Sequence, residues 1–356
     1  MMQVRPGPRL AVPVFLWLSL LLGGCAGTGP SAREALAPFD QPKRLESIAF
    51  FPQTELHCGP AALATVLDHS GLDIDYPALV ERVYLPGRGG TLQVELIAAT
   101  RSLNRIPWVL PPDLPAVLDE VAAGRPVLVL ENQGLRTRPF WHYAVVIGFD
   151  PDRREIIQHS GTHAFLAQPM RRWLRDWNLA GRWALVTLPP DQLPLAPDRE
   201  RWLQTLADFE AVAEAQASLI AWQTAGQRWP ETPLVWLGQG NSHYRLGETA
   251  RAVAAFEQAL ALDPDQPAAA FNLAWLLLEQ GDACAAADRL EPLRAHAGIG
   301  ERAETLWLRA HRACQDGHRR SLEQAARERE NHQAQADNAG AHPRLPPKTR
   351  QSETAA

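Results

Sequence analysis

The sequence predicts an α+β domain followed by an all-α helical repeat, and three observations carry the prediction. Helical patterns precede strand patterns over residues 47–188, four prolines interrupt 189–198, and beyond that break apolar and small residues recur at intervals of 34. In the first domain apolar spacing predicts helices over Cys58 to Ser70, Pro77 to Val83 and Thr91 to Leu103. Strands are predicted at Val127 to Leu130, Tyr143 to Phe149, Glu155 to Gln158 and Trp183 to Leu188. Helices first and strands second fit a helical layer on an antiparallel sheet. Pro189 to Asp198 cannot continue a helix or a central strand and is read as a linker.

The second domain, expected over 199–318, holds one register at Ala225, Ala259 and Leu293 and another at Trp222, Phe256 and Leu290. Gly247 and Gly281, Ala252 and Ala286, and Pro230 and Pro264 keep the same interval. The copy running through Trp236, Gly240, Tyr244, Gly247, Ala252, Phe256, Ala259 and Pro264 resembles the tetratricopeptide repeat. That resemblance implies a solenoid of helix pairs with a groove for a protein partner, closed by an amphipathic helix near Glu301 to Gln315. The tail, 319–356, is expected to be largely disordered, because from about Arg327 its composition is too polar to bury a core.

The N-terminus carries Arg5 and Arg9 before an apolar run, Leu10 to Leu22, that is short for a membrane span. It ends in Leu22-Gly23-Gly24-Cys25, which resembles the lipobox of bacterial lipoproteins. The resemblance implies a signal peptide at 1–24, lipidation of Cys25, and a tether over 25–46. With Ala26 next, it also implies residence in the outer membrane facing the periplasm. The lipid is the only membrane contact expected. A formal net charge of −5 gives no basic footprint for nucleic acid, and 46% hydrophobic residues supply enough apolar mass for two cores.

The chemistry concentrates at Cys58, which directly precedes Gly59-Pro60 and the apolar helix. At a helix start, unpaired N–H groups and the positive end of the dipole favour a thiolate. A general base is needed, and His142 stands at the mouth of the strand Tyr143 to Phe149. Gln53, five residues before Cys58, could supply an amide to an oxyanion beside the Cys58 N–H.

Gln53, Cys58-Gly59-Pro60-Ala61-Ala62-Leu63, Gly89-Gly90-Thr91 and His142-Tyr143-Ala144-Val145-Val146 together resemble the papain-like peptidases that remove double-glycine leaders. They resemble more closely the stand-alone lipoprotein relatives with tetratricopeptide tails. The resemblance implies a papain-like domain over 47–188 with Gln53, Cys58 and His142 as catalytic residues. That family places Asp or Asn on the next strand to orient the histidine. Here the aligned position is Gln158 or His159, with His159 preferred, and no carboxylate stands there.

The expected activity is that of a cysteine peptidase acting on a peptide or protein through an acyl-enzyme. A weak or inactive peptide-binding adaptor, or an acyltransferase using the same Cys and His, stays open as an alternative. No cofactor is expected, and no metal, since no histidine falls at ligand spacing with cysteine or carboxylate. Cys284 and Cys314 lie on helices expected to be antiparallel neighbours at equal height, so they are candidates for a disulfide.

Overall fold

Nearly every position of the segment beginning at Cys58 is small or apolar, so a helix formed there has no face fit for water. In the computed structural model, which describes residues 32–52 and 56–339, this helix spans Cys58–His69 and is buried continuously from Gly59 to Leu67. The chain divides into two compact units between Asp198 and Arg199.

In the first unit a short helix α1 (Ala32–Leu36) and strand β1 (Lys43–Arg44) precede the buried helix, α2 (Cys58–His69). Helix α3 (Tyr76–Val83) starts where the Asp75 side chain accepts the Ala78 N–H at 3.2 Å, with Pro77 in the first turn. Helix α4 is Gln93–Ser102, and α5 is Leu114–Ala122, capped by Asp113. The strands are β2 (Ile106–Val109), β3 (Val127–Asn132), β4 (Trp141–Asp150), β5 (Glu155–Ser160), β6 (His163–Pro169) and β7 (Ala184–Leu188). They form one antiparallel sheet in the order β2-β7-β3-β4-β5-β6, and β1 pairs with the end of β4. Helix α6 (Met170–Leu179) lies between β6 and β7 in sequence.

Alternation along the strands sorts the sheet into two faces. Leu128, Leu130, Tyr143, Val145 and Ile147 pack on Leu63, Val66 and Leu67 of α2, forming the main core. Each such side chain, fully buried, contributes about 1.5–3 kcal/mol. Trp173 and Trp177 of α6 stack at 5.0 Å and are fully buried. Their indole N–H groups donate to Gln158 Oε1 and the Trp183 carbonyl, so neither polar tip is orphaned.

The second unit consists of α7 (Arg199–Glu210), α8 (Ala215–Arg228), α9 (Pro233–Arg245), α10 (Thr249–Leu262), α11 (Pro267–Glu279), α12 (Ala283–Leu290) and α13 (Gly300–Ala339). Helices α7, α9 and α11 begin at Arg199, Pro233 and Pro267, a spacing of 34. The residues of the sequence register fall where paired helices meet. Trp222, Phe256, Leu290, Ala225, Ala259, Ala252 and Ala286 are all buried, and Gly247 and Gly281 turn with positive φ. Gly238 shows why small residues recur, since a Cβ there would lie 2.2 Å from the Trp222 ring.

Cys284 of α12 and Cys314 of α13 are joined by a disulfide, with Cα atoms 4.8 Å apart. The expectation of a tail disordered from 319 is corrected, because α13 continues to Ala339. From Arg319 to Gln333 its side chains are exposed, apart from a half-buried Ala325. Local pairs such as Arg319 with Asp316 and Gln324 with Glu328 support the helix instead.

Candidate active site

Cys58 is the first residue of α2, preceded by His57, which provides no side-chain cap. The backbone N–H groups of Tyr143, Gly59 and Cys58 itself stabilise the sulfur, but burial outweighs them and pushes the thiol up from its ordinary value. The resting sulfur is therefore a thiol. Burial thus opposes the thiolate that the helix start favours: the helix start supplies its N–H groups, yet the same position is sunk into the core edge.

Gly59 is required by close approach. A Cβ at this position would fall 2.5 Å from Cβ and 2.7 Å from Oγ1 of Thr91, so the loop Gly89-Gly90-Thr91 lies directly on the first turn of α2. The Tyr143 hydroxyl donates to the Thr91 carbonyl at 3.3 Å and ties the same loop to β4.

His142, second residue of β4, lines the same cleft as Cys58, a space of about 600 Å³ that also meets Gly89, Gly90, Thr91 and Trp141. Burial holds the imidazole neutral, lowering its pKa from 6.5 to about 4. Its Nε2 lies 2.9 Å from the Ser160 hydroxyl. With Nε2–H donating to Ser160, Nδ1 becomes the basic nitrogen.

The hydrogen-bond partner of His142 is thus Ser160, and neither Gln158 nor His159 reaches it. The Gln158 Oε1 accepts from Trp173, and His159 Nδ1 accepts the Phe165 N–H at 3.2 Å. His159 Nε2 lies 3.4 Å from the Ile48 carbonyl. For His159 the reason is strand parity, since it pairs with Val145 and shares the α2 face, whereas Ser160, one residue on, shares the face of His142; Gln158 is on that face too, but it pairs with Val146, farther along β4, and is taken by Trp173. The register between β5 and β6 shifts between Gln158 and Ser160. The signal available in sequence was the period of two, which makes His159 and Ser160 exclusive choices.

A carboxyl also lies closer in register than the sequence suggested. Glu131 of β3 stands opposite His142, fully buried. Gln133 donates to its Oε2 at 2.9 Å, Oε1 has no hydrogen-bond partner among the described residues, and burial pushes the carboxyl up. Gln53 and Cys25 lie outside the described residues. Among the described residues no cluster of three His, Cys, Asp or Glu could hold a metal ion.

Residues 237–298 match the tetratricopeptide repeat family. That stretch of the second unit, from within α9 to the segment after α12, carries the tetratricopeptide repeat. Among solved structures, the chain is similar to a C39-like peptidase from Bacillus anthracis at 17% identity. That match covers 42% of this chain and 98% of the other, with a TM-score of 0.37. It is also similar to the peptidase domain of Streptococcus ComA, at 22% identity, 39% and 96% coverage, and a TM-score of 0.32. The TPR2B domain of yeast Sti1, in its pHsp70 complex, is similar at 15% identity, 32% and 96% coverage, and a TM-score of 0.30. No curated protein matches the chain. The first unit carries an α+β fold, with a cysteine at the start of its central helix and a histidine at the start of the facing strand.

Proposed function

We propose that the first unit is a cysteine peptidase or amidase in which Cys58 attacks a carbonyl and His142 carries the proton. The observation that supports it most is the shared cleft: Cys58 sits at a helix start, the Tyr143 N–H meets its sulfur, and His142 lines the same space with Nε2 engaged by Ser160. His142 Nδ1 would take the thiol proton as the C–S bond forms and return it to the leaving amine. The Cys58 N–H, with the amide of Gln53, would stabilise the oxyanion, and water would then release the acid from the thioester. Because thiol and imidazole are both neutral at rest, proton transfer accompanies attack instead of preceding it. The exposed side chains Leu56, Leu92, Phe140 and Trp141 rim the cleft and would hold apolar residues of an extended peptide.

The repeat unit would recruit substrate or partner. Among its helices Tyr244, Phe271, Asn272, Trp275 and Arg302 line a cavity of about 590 Å³, suited to peptide side chains and backbone. The N-terminal pattern at Cys25 supports a lipid-anchored location at the outer membrane, facing the periplasm. The raised thiol and the serine in the orienting position favour one second reading, an adaptor that binds peptide without cutting it.

Incubation with a peptide pool, followed by intact-mass detection of acyl-enzyme and of new peptide termini, separates the two. Hydrolysis that vanishes in Cys58→Ser and in His142→Ala supports the peptidase. Saturable peptide binding with no acyl adduct on Cys58 overturns it in favour of the adaptor.

A further inference from the structure

Besides the lipid expected at Cys25, the first unit carries a cationic surface that reaches Ala32, seven residues after that cysteine. Helix α6 buries Met170, Trp173, Asp176 and Trp177, and therefore turns Arg171, Arg172 and Arg175 outward. The turn between β4 and β5 contributes Arg153 and Arg154, and the Met170 N–H donating to the Arg154 carbonyl at 2.8 Å clips that turn to the helix start. The two elements enclose a depression of about 740 Å³ lined by Arg153, Arg154, Arg171 and Arg175 over an apolar floor that includes Met170 and Leu174. No acid lines it.

Nearby acids neutralise the cluster only in part. Asp150 pairs with Arg153, and the buried Asp176 accepts from Arg175 and faces Arg172 at 4.0 Å. Arg154 and Arg171 form no ion pair among the described residues. Holding several guanidinium groups together is unfavourable unless an anion answers them. Ala32 also lines the depression. It follows Cys25 by seven residues, a contour of at most about 25 Å.

We propose that this arginine face docks on the anionic phospholipid headgroups of the membrane that holds the tether, orienting the first unit against the bilayer. The phosphodiesters match the guanidinium forks, and the apolar floor matches the glycerol and upper acyl region. The proximity argument rests on the lipid anchor at Cys25, so the test is arranged to leave the anchor out.

The full mature chain carrying Cys25→Ser, and so unlipidated, is mixed with vesicles of phosphatidylcholine alone or of equimolar phosphatidylcholine and phosphatidylglycerol, and binding is read by flotation. Flotation with the phosphatidylglycerol vesicles only, weakening as salt rises, is expected. Arg154→Glu/Arg171→Glu should lower the partition by roughly tenfold or more, while Arg136→Glu/Arg138→Glu, an equal reversal elsewhere on the unit, should leave it unchanged. Equal binding to both vesicles, no binding, or equal loss in both double variants would overturn the proposal. So would full displacement by inorganic phosphate at matched ionic strength, which would make the face a small-anion site. Release of the chain by Cys25→Ala into a high-salt wash in cell fractionation, where the native chain stays with the membrane, tests the anchor separately.

Discussion

The neutral state of His142 makes a quantitative prediction about acid. The unfolded chain protonates this ring below about pH 6.5, whereas the folded chain resists until about pH 4, because the buried cleft penalises the cation. Between those values the unfolded state binds the extra proton, so the stability of the first unit falls as pH falls. The gap between 6.5 and about 4 corresponds to about 3 kcal/mol in full, of which about 2.5 kcal/mol is lost by about pH 4.5. Hydrogen exchange of peptides from α2 and β4, followed by mass spectrometry, reads the opening free energy of this unit alone. The comparison is wild type against His142→Asn, which cannot titrate. His69, His159 and Glu131 titrate in both chains and cancel to first order in the difference. Wild type should lose about 2.5 kcal/mol more than the variant between neutral pH and about pH 4.5. An equal loss in both chains, or an imidazole titrating near 6.5 by NMR, would refute the burial argument. The same displacement should move the acid limb of kcat/KM toward pH 4.

Ser160→Ala should slow hydrolysis about fivefold and cost no more than about 1 kcal/mol of stability, since a single neutral hydrogen bond to the imidazole is worth about 1 kcal/mol; a kcat equal to wild type in a peptide assay would remove Ser160 from the mechanism. Gly59→Ala drives a methyl to 2.5 Å from Thr91 and should destabilise the first unit by about 1–3 kcal/mol. It should also change the rate of Cys58 alkylation, and an unchanged melting profile would show that the loop yields. Replacing both Cys284 and Cys314 with Ala opens a bridge across a sequence separation of 30 and should weaken the repeat unit by about 3–4 kcal/mol in the chain-entropy model. Urea titration under oxidising and reducing conditions measures it, and identical midpoints would contradict the model.

What could be read from sequence followed the strength of the periodic signal. Helix α2 and strands β3, β4, β5 and β7 carry dense apolar runs and were legible to within a few residues at either end. Strand β6 was not, because His163–Pro169 is an exposed edge with little apolar alternation. Strand β2 holds Pro107 within four residues, which reads as a break. Helix α6 carries no dense apolar run, and only the four-residue spacing of Trp173 and Trp177 marks its buried face in the sequence. At the site, Cys58 and His142 were legible as motif residues, but the partner of His142 depends on which face of β5 it occupies. A reading uncertain by one residue in the turn cannot supply that. Glu131 escaped because it is distant in sequence from both motifs and meets His142 only through strand pairing.

The protonated resting state of Cys58 bears on how the residue survives oxidants. Disulfide exchange and sulfenic acid formation both begin from thiolate, so a sulfur kept neutral by its surroundings reacts slowly with small disulfides and peroxides. Cys58 is the free cysteine of the described residues, and Cys284 and Cys314 are already committed to each other. In the proposed peptidase, burial at the start of α2 would spare Cys58 from small oxidants until a carbonyl and His142 together draw the proton away, trading standing reactivity for persistence.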